Sequence, residues 1–247
     1  MADRLGFCDV PSVSGNLFGP EFAIALAKAL LVNGGLTSIN LAKNELGEEG
    51  TKAICEALEQ NKTLKELDFS GGGIGNIGGS AGAKHVAKML GVNSVLTECN
   101  LQSNRLGAKG WTAIFTALRD SKVSKISTWD LHAEDGIKAS IKPLAEYIAV
   151  SGRLTALDLS SNYLQDEGIR AVCKAIQSKK ETKLASLNLK NNGIGPGGAN
   201  AVPAMVAVTG SLTELSIYSN RVGDEGVRAI CEAIQSNKET KLTSLNF

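Results

Sequence analysis

The chain has 247 residues, of which 43% are hydrophobic and 4% are aromatic, and this share of hydrophobic side chains is enough to fill a substantial core. A disordered chain is therefore not expected. Lys and Arg together number 26 against 25 Asp and Glu, so the net charge is +1 and the sequence lacks the basic surplus that is typical of general nucleic-acid binding.

Segment patterns argue against two further classes of protein. The N-terminal stretch MADRLGFCDVPS has no apolar run of the secretory kind, and no later stretch reaches the roughly 20 apolar residues that span a bilayer. The five cysteines are odd in number and lack a C-x-x-C pair, which disfavours a disulfide framework and a zinc site. We therefore expect a cytoplasmic protein with no membrane or nucleic-acid partner, no metal and no cofactor.

The sequence repeats itself along its length, and this feature decides the predicted fold. The stretch LTALDLSSNYLQDEGIRAVCKAIQSKKETK from Leu154 returns as LTELSIYSNRVGDEGVRAICEAIQSNKETK from Leu212. The same register sets unit starts 28 to 32 residues apart. The predicted units start near Cys8, Leu36, Leu64, Leu96, Ile126, Leu154, Leu184 and Leu212, with a partial unit at Leu242.

Each unit opens with the pattern L-x-x-L-x-L-x-x-N-x-L, for example from Leu36 to Leu46. Its alternating core has the period of a strand with one buried face, and the pattern is too short for a helix. Apolar residues spaced by four follow, such as Ile54 and Leu58, and they predict one buried stripe of a helix. In chain order the predicted helices include residues 48–60, 110–120, 167–178 and 225–236.

The third unit carries four extra residues. Its register places Gly72 at the Asn position, Ile74 at the following apolar position and Gly75 at the usual glycine, with the insertion after them. Gly73, Gly75 and Gly78 also spell G-x-G-x-x-G between a predicted strand and a predicted helix, which is a dinucleotide-binding pattern. The repeat register accounts for these glycines more simply, as a lengthened turn.

The unit from Ile126 is the weakest match to the pattern. Glu134 stands where other units have Asn, and Pro143 falls within the predicted helix. Pro143 is expected in the first turn, because a later position would break the helix. We therefore expect a shortened helix in this unit.

One strand and one helix per unit cannot bury their apolar faces alone, so the units are expected to stack around one continuous core. Strands pair at about 4.8 Å whereas packed helices need about 8 to 10 Å, so the parallel sheet should line a concave face and the helices a convex face. This predicts an α/β solenoid that spans residues 1–247 as a single domain. Asn side chains should satisfy backbone groups in the turn after each strand. The predicted ladder consists of Asn16, Asn44, Asn104, Asn162, Asn192 and Asn220.

The long unit, with L-x-x-L-x-L-x-x-N-x-L-G and then a helix of the type EGTKAICEAL, resembles the ribonuclease-inhibitor class of leucine-rich repeats. That class also includes the repeat domains of NOD-like receptors and of Ran GTPase-activating protein. The resemblance covers nearly the whole chain and implies a right-handed, horseshoe-shaped leucine-rich-repeat solenoid. For function it implies a protein-interaction module or scaffold. The alternative that it implies is a regulator of another enzyme, either a ribonuclease inhibitor or a GTPase activator.

The residues on either side of the middle core residue of each strand should point away from the helices into the concavity. At these positions the four central strands carry five carboxylates and no Lys or Arg. Such a wall would steer a basic protein partner, although short acidic residues also keep an exposed sheet soluble. We predict partner-binding residues at Glu66, Asp68, Glu98, Asn100, Gln102, Asp130, His132, Asp158, Glu214 and Tyr218.

No constellation of reactive side chains suggests catalysis, so we do not expect an enzyme. His85 is predicted to pack on the inner face of its helix, and Cys8 and Cys99 occupy predicted core positions. The final KLTSLNF would leave Leu245 and Phe247 on a strand with no helix behind it. We therefore expect either self-association through this C-terminal strand or a longer repeat array.

Overall fold

The computed structural model describes residues 12–179 and 181–247. The chain divides into two compact units, of which the first ends at Ile126 and the second begins at Ser127. Both units are built from strands and helices in alternation. The predicted unit start at Cys8 lies outside the described residues.

The first unit contains a parallel sheet with helices that follow each strand. Its strands are β1 (Ser38–Asn40), β2 (Glu66–Asp68) and β3 (Glu98–Asn100), paired in the order β1-β2-β3. Its helices are α1 (Pro20–Val32), α2 (Gly47–Gln60), α3 (Gly79–Val92) and α4 (Gly107–Asp120). Each helix packs against the next one along the chain.

The second unit has the same organisation. Its strands are β4 (Thr128–Asp130), β5 (Ala156–Asp158), β6 (Ser186–Asn188), β7 (Glu214–Ser216) and β8 (Ser244–Asn246), all parallel and paired in chain order. Its helices are α5 (Ile141–Val150), α6 (Gln165–Gln177), α7 (Pro196–Ala199), α8 (Ala201–Val206) and α9 (Gly223–Ser236). The prediction of parallel strands in chain order is confirmed within each sheet.

The core of each unit lies between its sheet and its helices. The middle residue of a strand is buried, as Leu67 is in β2, and the helix stripe of Ile54 and Leu58 in α2 is buried as well. Each such side chain stabilises the fold by about 1.5 to 3 kcal/mol. The four helix ranges given by apolar spacing agree with α2, α4, α6 and α9 to within three residues at each end.

An asparagine side chain closes the turn after most strands, as predicted. Buried Asn104 accepts the backbone N–H groups of Asn76 and Ile77 at 2.7 and 3.1 Å and donates to the Phe69 carbonyl at 2.8 Å. Each ladder residue thereby links its own turn to the turn of the preceding repeat. The pattern recurs at Asn44, Asn162, Asn192 and Asn220. Asn16 donates within its own turn, to the carbonyls of Val13 and Ser14.

The insertion in the third repeat lies earlier than the sequence register placed it. Asn76, and not Gly72, occupies the ladder position, where its amide donates to the Leu41 carbonyl at 2.8 Å. Ile74 is 74% exposed, and Ile77 fills the buried apolar position. The register assignment was wrong because only a side chain with both donors and acceptors can bind the neighbouring turns, and glycine has none.

The glycines of this stretch let the chain approach the neighbouring repeats. At Gly75, with φ +88, an added Cβ would lie 3.2 Å from the Asn104 carbonyl oxygen. At Gly78, with φ +80, it would lie 2.6 Å from the Glu48 nitrogen. Gly79, and not Gly75, begins α3. These close approaches favour the lengthened-turn interpretation of the G-x-G-x-x-G pattern.

Two prolines shape helices of the second unit. Pro143 lies in the first turn of α5, and this helix has 10 residues, so the predicted shortening is confirmed. The sequence analysis did not predict the interruption at Asn200 that separates α7 from α8. Pro203 has no N–H to donate and its ring opposes the carbonyl of Ala199, so the helical hydrogen bond between these residues cannot form.

Candidate binding surfaces

The predicted partner-binding residues lie beside the buried strand positions or in the turns that follow the strands. The structure groups them in two sets, one in each unit. The first set comprises Glu66, Asp68, Glu98, Asn100 and Gln102. The second set comprises Asp130, His132, Asp158, Glu214 and Tyr218.

Three carboxylates of the first unit lie in adjacent strands, and we call Glu66, Asp68 and Glu98 the acidic face. The parallel register places Glu66 beside Glu98 and Asp68 beside Asn100. Burial, and secondarily the Glu66 carboxylate, raise the pKa of Glu98 above its usual value. The ionised form of Glu98 is therefore penalised by burial and by the neighbouring carboxylate.

The position of Asp68 has a structural role in addition to its charge. Asp68 is only 6% exposed, and its Oδ1 accepts the backbone N–H of Ser70 at 2.8 Å. Asn100 binds the N–H of Gln102 in the same way, and Asn40 makes the equivalent bond in the first turn. An Asp or Asn side chain at this position thus closes the turn after the strand.

The two aspartates of the second set, Asp130 and Asp158, accept hydrogen bonds. Asp130 accepts the backbone N–H of His132 at 3.0 Å. Asp158 accepts the backbone N–H and the hydroxyl of Ser160 through Oδ1, and the Asn188 amide at 2.8 Å through Oδ2. The His132 Nδ1 lies 2.8 Å from the Ser160 hydroxyl oxygen. These contacts join three neighbouring strands in one network.

Glu214 begins β7, and Tyr218 lies two residues after its end. The Ser186 hydroxyl lies 3.1 Å from Oε2 of Glu214, and the Lys190 ammonium lies 5.3 Å from the centroid of the Tyr218 ring. The latter distance is that of a cation–π contact. The second set thus includes an aromatic ring and lies beside a cation, whereas the strands of the first unit carry carboxylates without Lys or Arg.

Tyr163 is an exposed aromatic residue that the sequence analysis missed. It directly follows the ladder residue Asn162, its backbone has φ +54, and its side chain is 73% exposed. The repeat register could have identified this residue, because the register places the residue after each ladder asparagine in a surface turn. The predicted binding residues came only from positions in and beside the strands.

The remaining candidates pack within the fold. The His85 Nε2 lies 3.5 Å from a Glu48 carboxylate oxygen, and its side chain is 27% exposed. Cys99 and Cys173 are buried, and burial raises the pKa of the Cys173 thiol to about 12. Such thiols are inert.

Neither a membrane-spanning helix nor a metal cluster is found among the described residues. No helix in this part of the chain has the length and apolar character needed to cross a bilayer. Within the same residues, no group of three or more His, Cys, Asp or Glu side chains could hold a metal ion.

Comparison with known proteins identifies the repeats. A family model described as Leucine Rich repeat matches residues 36–55, 60–81, 154–173, 180–202 and 211–231. Over 225 residues the chain is 29% identical to ribonuclease inhibitor from Mus musculus, and the match covers 89% of this chain and 47% of that protein. The chain contains leucine-rich repeats and is similar to proteins of the ribonuclease-inhibitor-like class.

Other relatives have the same repeats. This leucine-rich-repeat chain is 29% identical over 208 residues to NACHT, LRR and PYD domains-containing protein 3 from Bos taurus, across 82% of this chain and 19% of that protein. It thus spans about half the length of the ribonuclease inhibitor and about a fifth of the NACHT protein. The family and these relatives support a protein-interaction module.

Solved structures also match. The tropomodulin C-terminal domain from Caenorhabditis elegans aligns with a TM-score of 0.40 at 12% identity, over 89% of this chain and 93% of that one. The structure titled as a TLR13–ssRNA13 complex aligns with a TM-score of 0.44 at 15% identity, over 85% of this chain and 32% of that one.

Proposed function

We propose that this leucine-rich-repeat protein binds a basic segment of a protein partner at its acidic face, acts without catalysis and works in the cytoplasm. The observation that carries the proposal is the charge of β1 to β3. Their flanking positions hold three carboxylates and no Lys or Arg, although the chain has a net charge of +1. Carboxylates aligned on a sheet create a negative potential that steers a basic partner and raises its association rate.

The two glutamates contribute most to this surface. Glu66 and Glu98 are half-buried and retain access to solvent, whereas Asp68 is buried and engaged in its turn. Burial, and secondarily the Glu66 carboxylate, raise the pKa of Glu98 and so penalise its ionised form, which added positive charge would relieve. A bound Lys or Arg would supply that charge, with Asn100 and Gln102 beside it as further polar contacts.

The five predicted contacts of the second unit are proposed as a second part of the binding surface. Asp130, Asp158 and Glu214 supply carboxylates there, and His132 and Tyr218 supply exposed rings. Because Asp158 already accepts hydrogen bonds at both oxygens, we expect this set to contribute less than Glu66 and Glu98 to binding of a basic partner.

The test replaces Glu66 and Glu98 together with Gln, which keeps the shape and removes the charge. The matched control replaces Glu49 and Glu56 of α2, both exposed, and so removes the same charge from the same unit. Capture from an extract of the source cell first identifies a binder, which is then purified and titrated. We expect roughly tenfold weaker binding for E66Q/E98Q, a smaller effect for the control, and weaker binding of the original chain at high salt.

Asp68, Asp130 and Asp158 are left unchanged in this test, because each accepts a turn hydrogen bond, and any substitution other than Asn would remove this bond along with the charge. Binding that E66Q/E98Q retains in full, or that the control pair loses to the same extent, would place the site elsewhere.

Similarity to mouse ribonuclease inhibitor favours a second candidate function, regulation of another enzyme. The chain would then change the turnover of its partner and not only bind it. Adding the purified chain to a ribonuclease and following RNA cleavage tests the inhibitor form of this candidate, and GTP hydrolysis by a GTPase tests the activator form. Unchanged turnover at saturating concentration of the chain would contradict it.

Self-association through β8 is a further part of the proposal. β8 lies at one edge of its sheet, Leu245 is half-buried and Phe247 is 42% exposed. Cys231 of α9 is partly exposed, whereas the equivalent Cys173 of α6 is buried. A strand edge offers N–H and C=O groups to a second copy. Light scattering should show association that L245D/F247K abolishes, and a monomer at every concentration would contradict it.

A further inference from the structure

Two aromatic rings and two cations lie in the turns after β5, β6 and β7. We call Tyr163, Lys190, Tyr218 and Arg221 the turn rim. Backbone hydrogen bonds join these turns: the Ser161 N–H donates to the Lys190 carbonyl at 2.9 Å, and the Asn191 N–H donates to the Tyr218 carbonyl at 3.0 Å. The turn rim lies wholly within the second unit.

The conformation of Tyr163 belongs to its turn, and the exposed aromatic ring is the unusual feature. Its φ of +54 lies in the left-handed region, which costs a non-glycine residue roughly 1 to 2 kcal/mol. The equivalent residues Leu17, Arg105 and Gly193 share this region, with φ of +56, +53 and +69, and none of them is aromatic. Because the ring of Tyr163 is 73% exposed, it recovers little of this cost by packing. A contact with another molecule would account for an aromatic residue here.

The other members of the turn rim are held in place. The ammonium of Lys190 lies 5.3 Å from the centroid of the Tyr218 ring, which is 45% exposed. Arg221 is exposed, and its backbone N–H donates to the Ile194 carbonyl at 2.8 Å. Tyr and Arg are enriched at the energetic centres of protein interfaces, and residues fixed in advance lose less entropy on binding.

The two cations of the turn rim indicate the charge of the partner that it would bind. Among the described residues, neither Lys190 nor Arg221 forms an ion pair. The neighbouring carboxylate of Asp158 already accepts hydrogen bonds from Ser160 and Asn188. The carboxylates that would pair with these cations are therefore expected from another molecule.

We propose that the turn rim binds an acidic segment of a protein partner. Carboxylates of the segment pair with Lys190 and Arg221, and its apolar side chains pack on Tyr163 and Tyr218. This charge preference is opposite to that of the acidic face. The proposal goes beyond the proposed function and stands whether or not the acidic face binds a basic partner.

The test uses the full chain and a fluorescent random copolymer of Glu and Tyr as the probe, followed by anisotropy. One variant carries Tyr163→Asn and Tyr218→Ser, since Asn tolerates the left-handed region. A second carries Lys190→Gln and Arg221→Gln. The charge-matched control carries Lys183→Gln and Arg228→Gln, both exposed in the same unit.

We expect roughly tenfold weaker binding for each turn-rim variant and less than about a twofold change for the control. The variant without the two cations should also show a smaller salt dependence. Far-ultraviolet circular dichroism verifies that each variant is folded, and the two turn-rim variants test the proposal independently.

A wild-type chain that does not bind the copolymer would overturn the proposal, as would equal losses in the control and the turn-rim variants. Binding of poly-uridylic acid that depends on the turn rim, without binding of the copolymer, would assign the surface to nucleic acid instead. Binding of poly-lysine should not be weakened by the variant that carries Lys190→Gln and Arg221→Gln and should be weakened by E66Q/E98Q, so the two proposals fail separately.

Discussion

Glu66 and Glu98 lie beside each other in β2 and β3, and the pKa of Glu98 is raised by burial and by the Glu66 carboxylate. Because the raised value belongs to the folded state, ionised Glu98 destabilises the fold at pH values above it. Protonation removes this penalty as the pH falls through the raised value towards the ordinary one. We predict that Glu98→Gln raises the free energy of unfolding at about pH 7 and that the gain shrinks towards pH 4 or so.

Urea unfolding followed by circular dichroism at both pH values measures this difference. Glu49→Gln, at an exposed position of α2, is the control and should change the stability little at either pH. A Glu98→Gln variant that is less stable than the original chain at neutral pH would show that contacts of the carboxylate outweigh its desolvation.

Asn104 shows how one side chain can join two repeats. It accepts the N–H groups of Asn76 and Ile77 and donates to carbonyls of both turns, including those of Phe69 and Leu101. Asn104→Ala would leave several buried backbone groups without partners. We predict a loss of roughly 3 kcal/mol or more in the free energy of unfolding, measured in urea. Asn16→Ala, at the exposed ladder position, should cost far less.

The sequence predicted the ladder asparagines correctly where the repeat spacing is regular and wrongly in the third repeat, where four residues are inserted. The ladder followed from its spacing, but Gly72 was chosen over Asn76 because counting residues cannot show which one binds the neighbouring turns. Asp68 and Asp158 were interpreted as surface charge. Their turn hydrogen bonds became visible only with coordinates, although Asn40 at the equivalent position was a hint in the sequence.

At the scale of elements, Pro203 interrupts the helix that otherwise would run from α7 through α8. Restoring an N–H at this position with Pro203→Ala allows a bond to the Ala199 carbonyl and removes the ring clash. We predict a gain in stability of roughly 1 to 2 kcal/mol, because the greater freedom of the unfolded chain offsets part of the benefit. Helix content by circular dichroism should rise as well.

Pro196→Ala is the matched control. This proline is the first residue of α7, where an N–H group would have no partner within the helix. The substitution should leave helix content nearly unchanged. Equal gains in stability from both substitutions would mean that the helix interruption is not caused by Pro203.

Helices were the elements that the sequence predicted best, because a stripe such as Ile54 and Leu58 repeats over several turns and needs no knowledge of distant residues. The strands are only three residues long, and their positions came from the register of the whole repeat. The break at Asn200 was missed because the repeat register took precedence over the local effect of Pro203.

At the scale of the molecule, the period of 28 to 32 residues was sufficient to predict parallel strands in chain order, since consecutive units bury each other's apolar faces. The candidate sites could not be predicted in the same way. The repeat pattern shows which positions of the units are equivalent, whereas a binding surface depends on the residues that differ at equivalent positions. Tyr163 is such a difference, because the equivalent position of the next turn is Gly193.

The single domain predicted over residues 1–247 can be tested with two buried tryptophans, Trp111 in the first unit and Trp129 in the second. The repeat register continues from Leu96 through Ile126 with unit spacings of 30 and 28 residues, so the sequence predicts neighbouring repeats that stabilise each other throughout. We therefore expect the two units to unfold together in urea.

Trp129→Phe leaves Trp111 as the fluorescent reporter, and Trp111→Phe leaves Trp129. Each substitution costs some stability, so the comparison is made within each variant, between tryptophan fluorescence and circular dichroism of the whole chain. Coincident transitions in both variants are expected for one cooperative domain. A fluorescence transition that covers only part of the circular dichroism change, at a different urea concentration for each reporter, would show that the two units unfold separately. The continuous register would then predict the repeats correctly without predicting their cooperativity.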